Sequence, residues 1–407
     1  MKKDHAILKP LAEELARIAA LPVQKEKRAL WTRNNDLEPT RPLVYIDQLP
    51  WHEIAASPEM KLGCEDPFLR VVEQRIRETL YRWKHFPCDM VVEERIDLPH
   101  AVTGVDYGTH VKEEGLYTDK ENDIYSHDYQ EQLNTPEDVE NLKFDSVTVD
   151  RALDAERLAE CERIFEGILP VRFEGVQIHA GVWDRIAQLR EPETMLLDLI
   201  DRPEFTEQIV IRLRDITMDT VRQCEQLGLL DNQLQYVHCT GAYTNDLPRP
   251  EGGKVLAKNV WAFGMSQIFN SVSKDMHEAF DIDLLMPLYD MFGLMYYGCC
   301  EPLHNKIDIV RKIRNVRKVS MSPWADIDRG AESISGDFVF SLKPRPSLIG
   351  NGTFEEEPIR QQMQQAKDAC ARYKTPCEFI LKDVSTVQGR LDFLDKWNRV
   401  AMEIAQS

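Results

Sequence analysis

Residues 293–300 read GLMYYGCC, an apolar and aromatic strand pattern that ends in two adjacent cysteines, Cys299 and Cys300, followed by Glu301. Three runs of the same character follow: VRKVSMSPW at 316–324, DFVFSLKP at 337–344 and CEFILKDV at 377–384. Helical patterns at 305–314 and 359–373 separate them. Upstream lie WAFGMSQIFN at 261–270, LQYVHCTGAY at 234–243 and GILPVRFEGVQI at 167–178, with helices expected near 151–166, 191–200, 204–227 and 273–280. Short apolar strands alternating with helices predict a parallel α/β fold.

Two parallel architectures compete. An open doubly wound sheet is disfavoured, because no G-x-G-x-x-G opens a helix and no phosphate-binding G-x-x-x-x-G-K-[ST] occurs. Polar residues instead fall at the ends of successive strands: His238, Cys300, Asp326, Lys343, Lys382 and Asp383. In a closed barrel those ends meet on one face. The expectation is therefore a (β/α)8 TIM barrel over residues 89–407, with residues 1–88 as an N-terminal helical extension packed on it. Residues 9–30 and 66–84 carry apolar positions at helical spacing, and 41–51 is a short apolar stretch closed by Pro50. A further strand is expected at 90–98. The polar stretch 104–150 is long for a loop and reads as a functional loop or a lid.

The chain has 407 residues, within the range of one barrel with insertions. Its net charge of -19 argues against nucleic acid and anionic membrane surfaces as partners, since both repel an acidic protein. No signal peptide and no apolar run of spanning length is read. Nine cysteines, most of them isolated, fit a reducing cytoplasm better than a disulfide framework.

Four strand ends carry candidate chemistry. Cys299, Cys300 and Glu301 offer thiolates and a carboxylate, donors that suit a divalent metal such as Zn²⁺. Side chains alternate along a strand, so one of the two cysteines is expected to face the lumen. His238 offers an imidazole as ligand or acid/base, while its neighbour Cys239 should point away. Tyr243, Asn245 and Asp246 follow on a loop; Tyr243 and Asn245 are expected to touch substrate, although Asn-Asp is also ordinary turn chemistry. Trp324 could wall a pocket and Asp326 move a proton, against the plainer reading of Asp326 as a helix cap. Lys343, and Lys382 with Asp383, sit where a cation must be paired or bind an anion. Trp183 and His179 could line the mouth.

FGMSQIFN, FGLMYYGCCEPL, RKVSMSPWAD, FVFSLKPRPSLI and EFILKDVSTV together resemble the uroporphyrinogen decarboxylase superfamily over residues 150–400. The resemblance implies a (β/α)8 barrel with its site at the C-terminal mouth. Two activities occur in that superfamily: cofactor-free decarboxylation of a tetrapyrrole, and zinc-dependent methyl transfer involving a corrinoid (cobalamin) protein. The Arg-Gln-Ala-Gly-Arg segment of the decarboxylases is missing here. The His-x-Cys pair and later cysteine of the methyltransferases are replaced by Tyr297-Gly298-Cys299-Cys300-Glu301, and the last strand ends in Lys382-Asp383. The expectation is a corrinoid-linked methyltransferase with zinc held by His238, Cys299, Cys300 and Glu301, and with Glu301, Asp326 and His238 as catalytic groups. A small-molecule substrate, a corrinoid protein and a second copy of the chain are the expected partners. A metal-free decarboxylase or lyase is the rival enzyme. A corrinoid- or tetrapyrrole-binding carrier is the non-enzymatic reading, and no Asp-x-His-x-x-Gly segment supports it.

Overall fold

The computed structural model describes residues 2–106, 110–117, 120 and 125–407. Part of the expected lid, within 104–150, lies outside the described residues. Seven strands form one sheet: β1 (Leu43–Ile46), β2 (Ile178–His179), β3 (Trp261–Gly264), β4 (Leu294–Tyr297), β5 (Val316–Met321), β6 (Val339–Leu342) and β7 (Cys377–Leu381). Their order is β1-β7-β6-β5-β4-β3-β2, and every neighbouring pair is parallel. The α/β class read from sequence is thus the observed one. The helical extension expected at 1–88 holds more than helices, because it supplies edge strand β1, paired with β7.

Alternation sorts the side chains of each strand onto two faces. Met295, Tyr297, Val319, Met321, Phe340, Leu342, Phe379 and Leu381 point outward into the core shared with the surrounding helices. Leu43, Tyr45, Trp261, Leu294, Tyr296 and Ile380 point the other way, into a second core. Lys382 follows β7 and Cys299 follows β4, three strand steps apart, roughly 14 Å in a flat sheet at ~4.8 Å per step. Yet Lys382 Nζ lies 2.9 Å from Cys299 Sγ. The sheet must therefore curl around its inner face.

The curl stops short of the closed eight-stranded barrel expected from sequence. No ladder joins the edge strands β1 and β2 among the described residues. Two expected strands went elsewhere. Ile96–Leu98 and Val171–Phe173 pair with each other in a separate two-stranded sheet. The run 234–243 is no single strand: Tyr236–Val237 turns back on Thr240–Gly241 as an antiparallel hairpin. This hairpin occupies the opening between the edges. The Tyr236 ring stacks on Tyr45 of β1 at 5.0 Å, and its carbonyl accepts from Gln177, beside β2, at 3.0 Å.

Part of the expected lid is a hairpin too, Glu113–Leu116 against Ser126–Tyr129. No described helix is long and apolar enough to cross a membrane.

Candidate active site

The hairpin turn consists of His238 and Cys239 alone. Turns of this length need a positive φ at the first loop residue, usually supplied by glycine. Here His238 takes φ +54°, a conformation that costs of order 1 kcal/mol for a non-glycine residue. The strain aims the imidazole at the rings of Phe263 (5.0 Å) and Tyr296 (5.1 Å). Lys382 Nζ lies 3.4 Å from its Nε2. Burial pushes the imidazole pKa down, against the pull of a bond to Cys299.

Past β4 the backbone turns at Gly298, whose φ is +91°. A Cβ there would meet Leu303 Cδ1 at 2.4 Å. Glycine is required both for the conformation and for the approach of Leu303. The turn brings Cys299 Sγ and Cys300 Sγ to 3.6 Å. Cys299 is buried and Cys300 half-buried. The hydrogen bond between them holds the Cys299 thiol protonated, burial adding to the effect, and draws the Cys300 pKa below its ordinary value. Lys382 stands behind Cys299. Burial opposes its charge, and the carboxylate of Asp383 supports it. Asp383 is 3.7 Å away.

The remaining expected site residues fall into two groups. Lys343 belongs with the thiols: it is buried, donates to Ser341 Oγ at 2.8 Å and lies 5.1 Å from the Tyr296 ring. Five others do not belong there. Trp183 is wholly buried, bonded to the Phe280 carbonyl and packed on Phe269, so it is core. Tyr243 and Asn245 lie at the opposite end of the sheet, because the hairpin reverses the chain before they are reached. Tyr243 donates to Glu93 at 2.6 Å, and Asn245 to Asp36 at 3.0 Å. Asp326 caps the helix Ile327–Ile334 by accepting from Arg329 N. Trp324 stands beside it, 67% exposed, over a separate cleft.

Glu301 is buried, but not as a ligand. Its two oxygens accept the backbone N–H groups of Cys299 (2.8 Å) and Ser266 (3.0 Å). It ties the β4 loop to the β3 loop. With that carboxylate engaged and an ammonium bonded to Cys299, the expected zinc site does not fit these residues. A lysine cation already holds the thiol that would bind Zn²⁺. Among the described residues no group of three or more His, Cys, Asp or Glu is placed to hold a metal.

Strand-end reasoning left out one titratable group beside His179. Asp184, on the helix Val182–Leu189, accepts from Gln267 at 2.8 Å, and burial pushes its carboxyl up to about 6. His179 is pushed down to about 4 by burial, with His238 adding to the effect. Both line a recess of about 200 Å³. Asp184 follows a strand of only two residues, too short to read as one in sequence. A larger cavity, about 350 Å³, opens at the gap between the edge strands. Several of its charges are already paired, Arg75 with Glu174 and Arg172 with Asp97, each at 2.6 Å.

Curled sheet, strand-end thiols and strand-end cations define an α/β protein with a cluster of thiols and cations at the carboxyl ends of its strands. No protein-family model and no curated protein matches the chain in sequence. Among solved structures, a methyltransferase from Methanosarcina mazei has the same fold, with a TM-score of 0.54, over 92% of this chain and 97% of that one. Sequence identity is 12%, so the likeness is one of fold.

Proposed function

We propose that this chain is a methyltransferase that works through the thiol of Cys300. The observation that carries the reading is the series Lys382, Cys299, Cys300. An ammonium donates to one thiol at 2.9 Å, and that thiol lies 3.6 Å from a second, more exposed one. A sulfur supported in this way is a nucleophile at lower pH than a free cysteine. Its lone pair attacks the methyl carbon of the donor. The S–C bond forms as the bond to the donor breaks, and the bonding electrons leave with the donor. In onward transfer the thiolate of an acceptor, its proton lost to solvent, attacks that methyl carbon; the S–CH3 bond breaks and its electrons return to Cys300, which leaves as a thiolate facing Cys299 Sγ at 3.6 Å. His238 and Lys343 position the anionic part of a substrate. The methyltransferase that shares the fold supports the reaction class, and the sequence resemblance supports a methyl-corrinoid, free or on a partner protein, as donor. No step needs a metal.

The test uses methylcobalamin as the donor probe and mass spectrometry of the peptide carrying Cys300. A methyl group on that sulfur is expected in wild type, none in Cys300→Ser, and a slower gain in Lys382→Met. Methyl transfer that survives Cys300→Ser sinks the reading. Asp184 favours a second reading, because a carboxyl held up to about 6 is a general acid near neutral pH. A metal-free lyase using Asp184 would keep its activity in Cys300→Ser and lose it in Asp184→Asn.

A further inference from the structure

The SPWAD segment has no part in the thiol chemistry, yet it builds a cleft of about 710 Å³ beyond the carboxyl ends of β5 and β6. That volume is typical of small-molecule sites, and the place is where open α/β sheets bind ligands. Trp324 holds its ring over the cleft with 67% of its surface exposed, a costly way to leave an indole. Arg345 faces it from the loop after β6. Among the described residues its guanidinium has no ion-pair or hydrogen-bond partner; its backbone N–H donates to Gln362 and its carbonyl accepts from Leu348 N, each at 3.3 Å. His304 Nδ1 is buried in the same wall without a hydrogen-bond partner. Asp326 uses Oδ1 to cap its helix, which leaves Oδ2 to accept from a ligand. Asp328, the other acid of the cleft, is engaged by Gln365 (2.7 Å) and Arg372 (3.3 Å).

We propose that this cleft is a second ligand site, separate from the thiols, for an amino-substituted heteroaromatic ring that carries an anionic group. The ring stacks on Trp324, and its amine donates to Asp326 Oδ2. Arg345 takes the anion, and His304 supplies one further polar contact. Either charged contact alone would be ambiguous in so acidic a protein. An exposed indole that shares one cleft with a free guanidinium and a half-used carboxylate selects a flat molecule carrying both a donor and a negative charge. A nucleoside monophosphate is the smallest common molecule of that form.

Calorimetric titration of the full chain with adenosine monophosphate, adenosine and inorganic phosphate tests this. The nucleotide is expected to bind with a Kd of about millimolar or tighter, and more tightly than either half. Trp324→Ala should weaken nucleotide and nucleoside about tenfold, the scale of one base–aromatic stack, whereas Trp324→Phe keeps most of the affinity. Arg345→Ala should weaken the nucleotide and leave adenosine unchanged. Cys300→Ser should bind all three as wild type does, so the outcome does not depend on the methyl-transfer reading. Absence of saturable binding overturns the proposal, as does a nucleotide affinity that neither Trp324→Ala nor Arg345→Ala changes.

Discussion

Cys299 and Cys300 are chemical neighbours with different tasks, and the difference comes from what each one touches. Cys299 is enclosed, and its pKa is raised; Cys300 is more open, and its pKa is lowered. Lys382 lowers the Cys300 pKa through space. Removal of that charge in Lys382→Met should therefore move the pH midpoint of Cys300 alkylation by iodoacetamide upward, read peptide by peptide in a mass spectrometer. An unchanged midpoint would mean that the lysine only fills space. Asp184 gives the second prediction at this scale. Its carboxyl is held up to about 6 in the fold and titrates near ~3.9 when unfolded. Between those values the unfolded chain has released a proton that the folded chain keeps, so this group makes the fold less stable as pH rises through the window. Asp184→Asn should be more stable than wild type by about 2–3 kcal/mol near pH 8 and nearly equal near pH 4. Urea unfolding at the two pH values measures both.

At the level of elements, much of the sheet was legible because parallel strands are buried on both faces and read as apolar runs. Residues 293–300, 316–324, 337–344 and 377–384 each contain the strand they predict. The hairpin was not legible. Its turn, His238-Cys239, lacks the glycine or asparagine that marks such turns, since tertiary packing imposes the positive φ. Missing that reversal sent Tyr243 and Asn245 to the wrong end of the sheet. Trp183 was misread because a helix that begins just past a strand end can turn its aromatic inward as easily as toward the mouth. Glu301 was misread for a related reason. Its place after two cysteines suits a ligand, but the loops of β3 and β4 both expose N–H groups there, and one carboxylate satisfies two of them. Glu301→Gln puts an amide donor against one of those N–H groups. It should cost about 1–3 kcal/mol of stability, seen as a lower denaturant midpoint. A metal-ligand role would instead show as lost metal with stability otherwise retained.

Over the whole molecule, the inner face of the sheet changes character along its length, and this gradient separates stability from chemistry. Toward the strand starts it is filled by Trp31, Val237 and the apolar side chains of β1, β3 and β4. Midway sits a fully buried ion pair, Lys318 on β5 with Glu378 on β7 at 2.8 Å. Lys318 also donates to Thr240 Oγ1 and to the Gly241 carbonyl, at 3.0 and 2.9 Å, so it anchors the hairpin that carries His238. Beyond the pair come Ser341, Lys343, Lys382 and the thiols. Burial lowers the Lys318 pKa while Glu378 raises it, the usual tension of a cation kept in a dry interior by one partner. Lys318→Met alone would strand the Glu378 carboxylate and release the hairpin, costing about 3–5 kcal/mol. Pairing it with Glu378→Leu removes both charges and should restore most of that stability. If the pair serves only to fill the sheet, the double variant also regains the wild-type rate of Cys300 alkylation. If the lysine fixes the hairpin, stability returns while His238 loses its place and the alkylation rate stays altered. The structure favours the second outcome, because two of the three Lys318 hydrogen bonds go to the hairpin and one to the carboxylate.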